Sequence, residues 1–257
     1  MIISLKNKCE KKGILIVLIF FLSLFFRFLK LLIDPLLSRD ASLYLSLAEN
    51  WNETASYSQT FNNLSYIVPP LPLWLTKTGL QLGFPAEVFA RTLGLYLGAL
   101  IPVIGFLTVQ KISNNIRVSI ISALLLAINP NLVYYSIQPL REVYYLFFCV
   151  MLLSTLVSAI KFSSLKDWIL CGIYTSCGFF CRYEAFEFII ICPCILIILR
   201  LTHRIINKRF VLGLFLFFFS TIITCIILLF ITTGFDASFL LKALSYIFKK
   251  GIPGTNV

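Results

Sequence analysis

Three short segments of the sequence place an arginine beside an acidic residue. They are Arg39-Asp40, Arg141-Glu142 and Arg182-Tyr183-Glu184. A guanidinium binds phosphate through paired N–H donors, and a carboxylate can take a proton or accept hydrogen bonds from hydroxyl groups. One pair alone can simply neutralise itself or bind a lipid headgroup, but three pairs on the same face favour a shared, hydrated cavity.

The elements that must position these pairs are long apolar segments. The chain has 257 residues, of which 59% are hydrophobic and 13% charged, and it contains 25 Phe. About 20 apolar residues cross the hydrocarbon core of a bilayer as a helix. We predict about seven spans: Gly13–Ile33, Val88–Gln110, Val118–Tyr135, Leu140–Ile160, Trp168–Cys181, Ala185–Leu199 and Phe210–Thr233. The sequence therefore predicts an all-α integral membrane protein, with residues 1–257 as a single domain.

The distribution of charge sets the predicted orientation. With the N-terminus inside, Lys and Arg collect in the short cytoplasmic segments, as the positive-inside rule requires. All the acids except Glu10 and Asp167 then lie at or near the outer face. The three pairs fall outside, near a long outer loop at residues 34–87. A basic membrane protein of this pattern, with a net charge of +11, needs no nucleic-acid partner.

The outer loop is predicted to carry juxtamembrane helices. Residues 38–51 have the spacing of an amphipathic helix, which Ser38 or Asp40 can cap. Tyr44 follows Asp40 by four residues and so shares its helical face. Residues 67–78 contain three prolines around a tryptophan and suit a segment lying in the membrane interface.

The third and fourth predicted spans meet at two prolines, Pro130 and Pro139, which are expected to break the helices. Four tyrosines near this break are predicted to form an aromatic belt around Arg141-Glu142. They are Tyr134, Tyr135, Tyr144 and Tyr145.

The cysteines and the histidine predict neither a disulfide framework nor a zinc site. Seven of the eight Cys fall within apolar spans and Cys9 is cytoplasmic, so they are read as small packing residues. His203 lies in a basic cytoplasmic loop. We therefore predict no cofactor and no metal ligand, although a divalent metal stays open.

Several short motifs, taken in order, resemble a known superfamily. They are "RDASLYLSLAENW", "PPLPLWL", "ARTLG", "NPNLVYYS" followed by "LREVYYLFF", and "CRYEAFE". Their order and their placement relative to the spans are similar to those of the C-type glycosyltransferases that use polyprenyl-phosphate sugars. This superfamily includes protein O-mannosyltransferases and aminoarabinose transferases, and the resemblance covers roughly residues 14 to 235.

The resemblance implies a lipid-linked sugar donor, transfer with inversion, and a catalytic carboxylate at Asp40. An inverting displacement needs a base for the incoming hydroxyl, and the phosphate leaving group needs cations. Asp40 is the expected base, and Glu142 and Glu184 are expected to orient arginines or bind sugar hydroxyls. Tyr44 is expected to help fix the sugar or the acceptor. The expected phosphate ligands are Arg39, Arg91, Arg141 and Arg182, with Lys77 as a weaker candidate.

The expected protein is a multi-pass membrane glycosyltransferase of the cell inner membrane, or of the endoplasmic reticulum in a eukaryote. Its expected partners are a polyprenyl-phosphate-linked sugar and the lipid bilayer, and the acceptor can be a lipid, a glycan or a protein. One alternative is an inactive or truncated relative that binds lipid-linked glycans. Another is a transporter or flippase, which the placement of charge at helix ends disfavours.

Overall fold

The computed structural model of the chain describes residues 2–51, 69–185, 187–190, 193–194, 197 and 208–233. Within these ranges the regular elements are helices, which confirms the predicted all-α class. The long and short α-helices are α1 (Ile2–Ile33), α2 (Arg39–Glu49), α3 (Pro70–Gln81), α4 (Ala86–Ser113), α5 (Ile116–Ile128), α6 (Pro130–Ile137), α7 (Arg141–Phe162), α8 (Leu165–Cys181) and α9 (Lys208–Thr233). A 3₁₀ turn at Tyr183–Ala185 follows α8.

Four helices, α1, α4, α7 and α9, are long and apolar enough to cross a membrane, and α5 with α6 forms a fifth crossing if the bent pair is one span. The chain is therefore a multi-pass membrane protein. The prediction of seven membrane spans stays a prediction, above all for two of the spans. Helix α8 has only 17 residues, and the predicted span at 185–199 lies mostly outside the described residues.

Helices α5 and α6 are bent by 52° relative to each other. Helix α6 begins at Pro130. Proline has no backbone N–H, and it suits the first turn of a helix because the N–H groups of that turn have no partner within the helix. The Asn129 side chain caps the new helix by accepting from the Leu132 N–H at 3.0 Å. Pro139 lies in the second break, between α6 and α7. Both prolines thus break the helices as predicted.

Helix α4 packs against α1, α5, α6 and α7. Two glycines one turn apart allow α6 to approach it closely. A Cβ atom on Gly94 would lie 2.8 Å from the carbonyl oxygen of Ser136, and one on Gly98 would lie 2.6 Å from the Cβ atom of Ser136. The residues at the end of α6, including Ser136 and Gln138, are consequently buried inside the bundle.

The two short helices of the predicted outer loop exist. Ser38 rather than Asp40 caps α2, since its Oγ accepts from the Ala41 N–H at 3.2 Å. The second helix, α3, begins at Pro70 and buries Leu71 and Leu73. Helix α3 packs against α2, α4, α8 and α9, and its predicted position in the membrane interface stays a prediction.

Helix α8 packs between α7 and α9. Helix α8 closely approaches the backbone of α9 at Gly172. A Cβ atom there would lie 2.5 Å from the carbonyl oxygen of Phe217 and 2.9 Å from the backbone nitrogen of Thr221. These are backbone atoms of α9, so the two helices must separate to admit a methyl group.

We expect Gly172→Ala to lower the thermal unfolding temperature of the detergent-solubilised protein. Overpacking of this kind costs about 1–3 kcal/mol, which outweighs the gain of about 1 kcal/mol that alanine brings to a helix. Gly13→Ala in α1 is the matched control, because nothing lies within 4 Å of the added Cβ. Equal melting temperatures for the two variants would contradict this account of the α8–α9 contact.

Candidate functional site

The candidate site lies where α2, the start of α7 and the end of α8 meet, which we call the α2 end of the bundle. A buried apolar cluster packs next to this site. Residues of α2, α3, α7, α8, the 3₁₀ turn and α9 contribute to this cluster, among them Ala48, Leu73, Tyr144, Phe180 and Tyr183. Tyr144 is 2% exposed, so its predicted place in an aromatic belt is wrong.

Tyr44 and Arg141 connect α2 to α7. The guanidinium of Arg141 hydrogen-bonds the Tyr44 side chain, and since arginine can only donate, the phenol oxygen accepts. Burial raises the pKa of Tyr44 above its ordinary value; the positive charge of Arg141 opposes this effect, and the negative charges of Glu142 and Asp40 add to it. Tyr44 therefore stays a neutral phenol at physiological pH, with its own O–H available as a donor.

Arg141 and Glu142 open α7 as a pair. Arg141 Nε donates to Glu142 Oε1 at 3.5 Å, and the two side chains are 24% and 21% exposed. Glu142 lies in the first turn of α7, where the helix dipole favours a negative charge. Its other oxygen, Oε2, is buried and accepts no hydrogen bond from the residues that the structure describes. Among these residues it is therefore an available acceptor at the site.

Arg182 and Glu184 form a second pair, at the turn after α8. Arg182 Nε lies 3.3 Å from Glu184 Oε2, and the guanidinium carbon lies 5.7 Å from the centroid of the Tyr145 ring. The charge of Glu184 also acts on Arg141. Two of the three predicted pairs thus belong to one charged cluster, which brings together the ends of α7 and α8.

The third pair, Arg39-Asp40, differs from the other two. Both side chains are exposed in the first turn of α2, and within the described part of the chain they form no ion pair with each other. Asp40 lies on the Tyr44 side of α2, and its charge acts on Tyr44. Asp40 is therefore accessible beside the cluster. The roles predicted for Arg39 and Asp40 stay predictions.

Two other predicted phosphate ligands lie away from the cluster. Arg91 is 7% exposed; its Nη2 donates to the Pro35 carbonyl at 2.6 Å, and its Nε lies 2.8 Å from Glu87. Lys77 Nζ lies 4.8 Å from the centroid of the Trp51 ring, past the C-terminal end of α2 and about 16 Å along that helix from Asp40. Their roles as phosphate ligands stay predictions.

Sequence reasoning missed Gln138, a residue 1% exposed in the break between α6 and α7. Its Nε2 donates to the Leu36 carbonyl at 2.9 Å, and its Oε1 accepts from the Ser38 N–H at 3.0 Å. A lone glutamine beside a proline carries no motif. Its partners are backbone atoms about 100 positions earlier in the chain, so no local pattern could have identified it.

Among the residues that the structure describes, no three His, Cys, Asp or Glu side chains are grouped so that they could hold a metal ion. The described cysteines include Cys171 and Cys181, both of which are buried. The cluster itself offers guanidinium, carboxylate and phenol groups. These groups bind anions, accept hydrogen bonds from hydroxyls and move protons.

Comparison with known protein families identifies the chain. The profile of dolichyl-phosphate-mannose-protein mannosyltransferases matches residues 68–228, well over half of the sequence. The chain belongs to this family. The matched region contains Arg141, Glu142, Arg182 and Glu184, whereas Asp40 precedes it. No curated protein and no solved structure matches the chain.

Membership confirms the resemblance to the C-type glycosyltransferases and makes the chain a membrane protein of a glycosyltransferase family. The matched region includes the first turn of α7 and the turn after α8, the two places that supply the paired charges.

We expect Tyr44→Phe to destabilise the protein by about 1–3 kcal/mol, because the substitution removes a hydrogen-bond acceptor from a largely buried guanidinium. Thermal unfolding in detergent measures the loss. Tyr96→Phe is the matched control, since Tyr96 lies half-exposed on the lipid-facing side of α4 and lines a groove there with Phe21 and Phe25. A Tyr44 variant as stable as the Tyr96 variant would contradict the Tyr44–Arg141 connection.

Proposed function

We propose that this member of the mannosyltransferase family transfers a sugar from a polyprenyl-phosphate donor to a hydroxyl acceptor at the α2 end of the bundle. The observation that carries the proposal is the convergence of Tyr44, Arg141, Glu142, Arg182 and Glu184 there. The family match supports the reaction class. The gathering of acids near the loop 34–87 supports an outer location of the site, on the side opposite the basic loops.

The two arginines supply what the leaving group needs. A glycosyl phosphate departs with its charge already delocalised, so cations stabilise it more than an acid does. Arg141 and Arg182 present guanidinium groups from neighbouring helix ends, and each keeps an acid beside it that fixes its orientation. In this proposal they hold the phosphate from two sides through paired N–H donors.

The acids divide into two roles. Glu142 has a buried oxygen that accepts no hydrogen bond from any described residue, and a sugar hydroxyl of the donor can satisfy it. Asp40 is exposed and is open to an acceptor hydroxyl arriving from outside the bundle. A base must lie on the side of the anomeric carbon opposite the phosphate. We therefore assign deprotonation of the acceptor to Asp40, with inversion at the anomeric carbon.

The reaction class is tested directly with purified protein in lipid vesicles. Polyprenyl-phosphate mannose with a radiolabelled sugar is supplied together with a membrane extract as the source of acceptors. We expect label to leave the lipid donor and polyprenyl phosphate to accumulate. The proposal fails if the folded protein releases no label from mannose, glucose or aminoarabinose donors.

Asp40→Asn is expected to lower the turnover number by about 10²–10⁴-fold, the usual effect of removing a general base. Asparagine is nearly isosteric and cannot take the proton, so binding of the lipid donor should persist. Steady-state transfer and donor binding are measured on the same preparation. Glu49→Gln removes an equally exposed carboxylate at the other end of α2 and should retain wild-type turnover. Survival of turnover in Asp40→Asn within a few-fold would transfer the role of base to Glu142 or Glu184.

Arg182→Ala is expected to weaken donor binding by about 10-fold or more, because a charge-assisted contact with phosphate is worth roughly 1.5–3 kcal/mol. Binding of radiolabelled polyprenyl-phosphate mannose to the detergent-solubilised protein measures the change. Arg117→Ala, at the exposed start of α5, is the control for loss of positive charge. Equal affinities in the two variants would mean that Arg182 serves only its contacts with Glu184 and Tyr145.

A further inference from the structure

The segment between α1 and α2 is a short piece of irregular backbone at residues 34–38. Its carbonyl and N–H groups cannot bond to each other as they would in a helix, so other parts of the protein must satisfy them. Arg91 donates to the Pro35 carbonyl. Gln138 does more, because its single amide binds the Leu36 carbonyl and the Ser38 N–H together.

Both partners of Gln138 matter for the site. Ser38 is the N-cap of α2, and Asp40 follows it by two residues. Gln138 also lies close to Arg141 in the chain, because only Pro139 and Leu140 separate the two residues. The amide is therefore a bridge between the start of the helix that carries Asp40 and the start of the helix that carries the phosphate ligand.

The geometry of this bridge is constrained. Gln138 is 1% exposed, so water cannot replace either of its two bonds. The donor and acceptor ends of the amide are both used, at 2.9 Å and 3.0 Å, which fixes the amide orientation as well as its position. A shift of α2 along the bundle would break both bonds at once and would move Asp40 relative to Arg141 and Glu142.

We propose that Gln138 is a positioning residue of the transfer reaction: it holds Asp40 in register with the phosphate and sugar ligands of α7. This inference rests on the proposed function. Gln138 itself contacts the backbone and not the reacting groups. A misplacement of about 1 Å at a reacting centre can lower the rate about 10²-fold.

The proposal predicts different effects on kcat and on the KM for the donor. In this proposal the donor is held by Arg141 and Arg182, which belong to α7 and the turn after α8 and whose ion pairs do not involve Gln138. The acceptor is deprotonated from α2, whose N-cap depends on Gln138. Loss of the amide should therefore lower kcat and leave the KM for the donor almost unchanged.

The test uses Gln138→Met, which keeps the length and approximate volume of the side chain and removes both hydrogen-bonding groups. Radiolabelled polyprenyl-phosphate mannose is varied in vesicles at a saturating amount of membrane extract. We expect kcat to fall about 10- to 100-fold and KM to stay within about threefold of wild type. Gln138→Glu keeps an acceptor for Ser38 and provides a second variant if Gln138→Met fails to fold; its kcat should fall as well.

Gln110→Met is the matched control. Gln110 Oε1 accepts from Ser119 Oγ at 3.0 Å and joins α4 to α5 at the opposite end of the bundle. Its variant should lose a hydrogen bond of similar kind and retain kcat. A kcat near wild type in both Gln138 variants, or an equal fall in the Gln110 variant, would overturn the positioning role.

Hydrogen exchange gives a readout that does not need turnover. Amides of residues 39–50 should exchange about tenfold faster in Gln138→Met than in wild type or in Gln110→Met, while those of α7 keep their protection. If the wild-type protein transfers no sugar, the proposed function fails and the exchange result alone decides whether Gln138 holds α2. Unchanged exchange at residues 39–50 would then overturn the inference.

Discussion

Irregular backbone inside a membrane bundle must be satisfied by the protein itself, and the α2 end of this protein is organised around that constraint. The chain leaves helical geometry between α1 and α2 and again on both sides of α6. Side chains with several polar atoms take over the bonds that a helix would make. Gln138, Arg91 and Asn129 each bind backbone groups of such a break. The charged cluster is placed where these breaks meet.

Arg27 extends the same pattern into α1. Its side chain is fully buried, and it donates to the carbonyl oxygens of Ser23 at 2.9 Å and Ala127 at 3.4 Å and to Ser136 Oγ at 3.1 Å. The Ala127 carbonyl lies at the end of α5, where the bend has removed its helical partner. A cation in this position stabilises the negative end of α5 and holds the bend against α1. The bend in turn directs α6 towards Gln138.

Much of the fold could be predicted because it depends on composition and on proline. Hydropathy placed the helices α1, α4, α7 and α9, and the missing N–H of Pro130 and Pro139 placed the breaks. Charge at helix ends predicted Arg141, Glu142, Arg182 and Glu184, which the structure brings into one cluster. The rest depends on contacts between distant positions. Neither the burial of Tyr144 nor the use of Arg91 on Pro35 follows from its sequence neighbours.

The bond between Ser38 and Gln138 also has a consequence in time. Its two residues are 100 positions apart, and the Tyr44 phenol likewise finds its partner only at Arg141. At a synthesis rate of about 5–20 residues per second, roughly 5–20 s separate the emergence of α2 from that of its partners. During that interval the ribosome has released the first helix and α2 while the segment that anchors them is still being translated. The order of synthesis thus makes α2 one of the first helices produced, although it can be fixed in place only after Gln138 and Arg141 have been made.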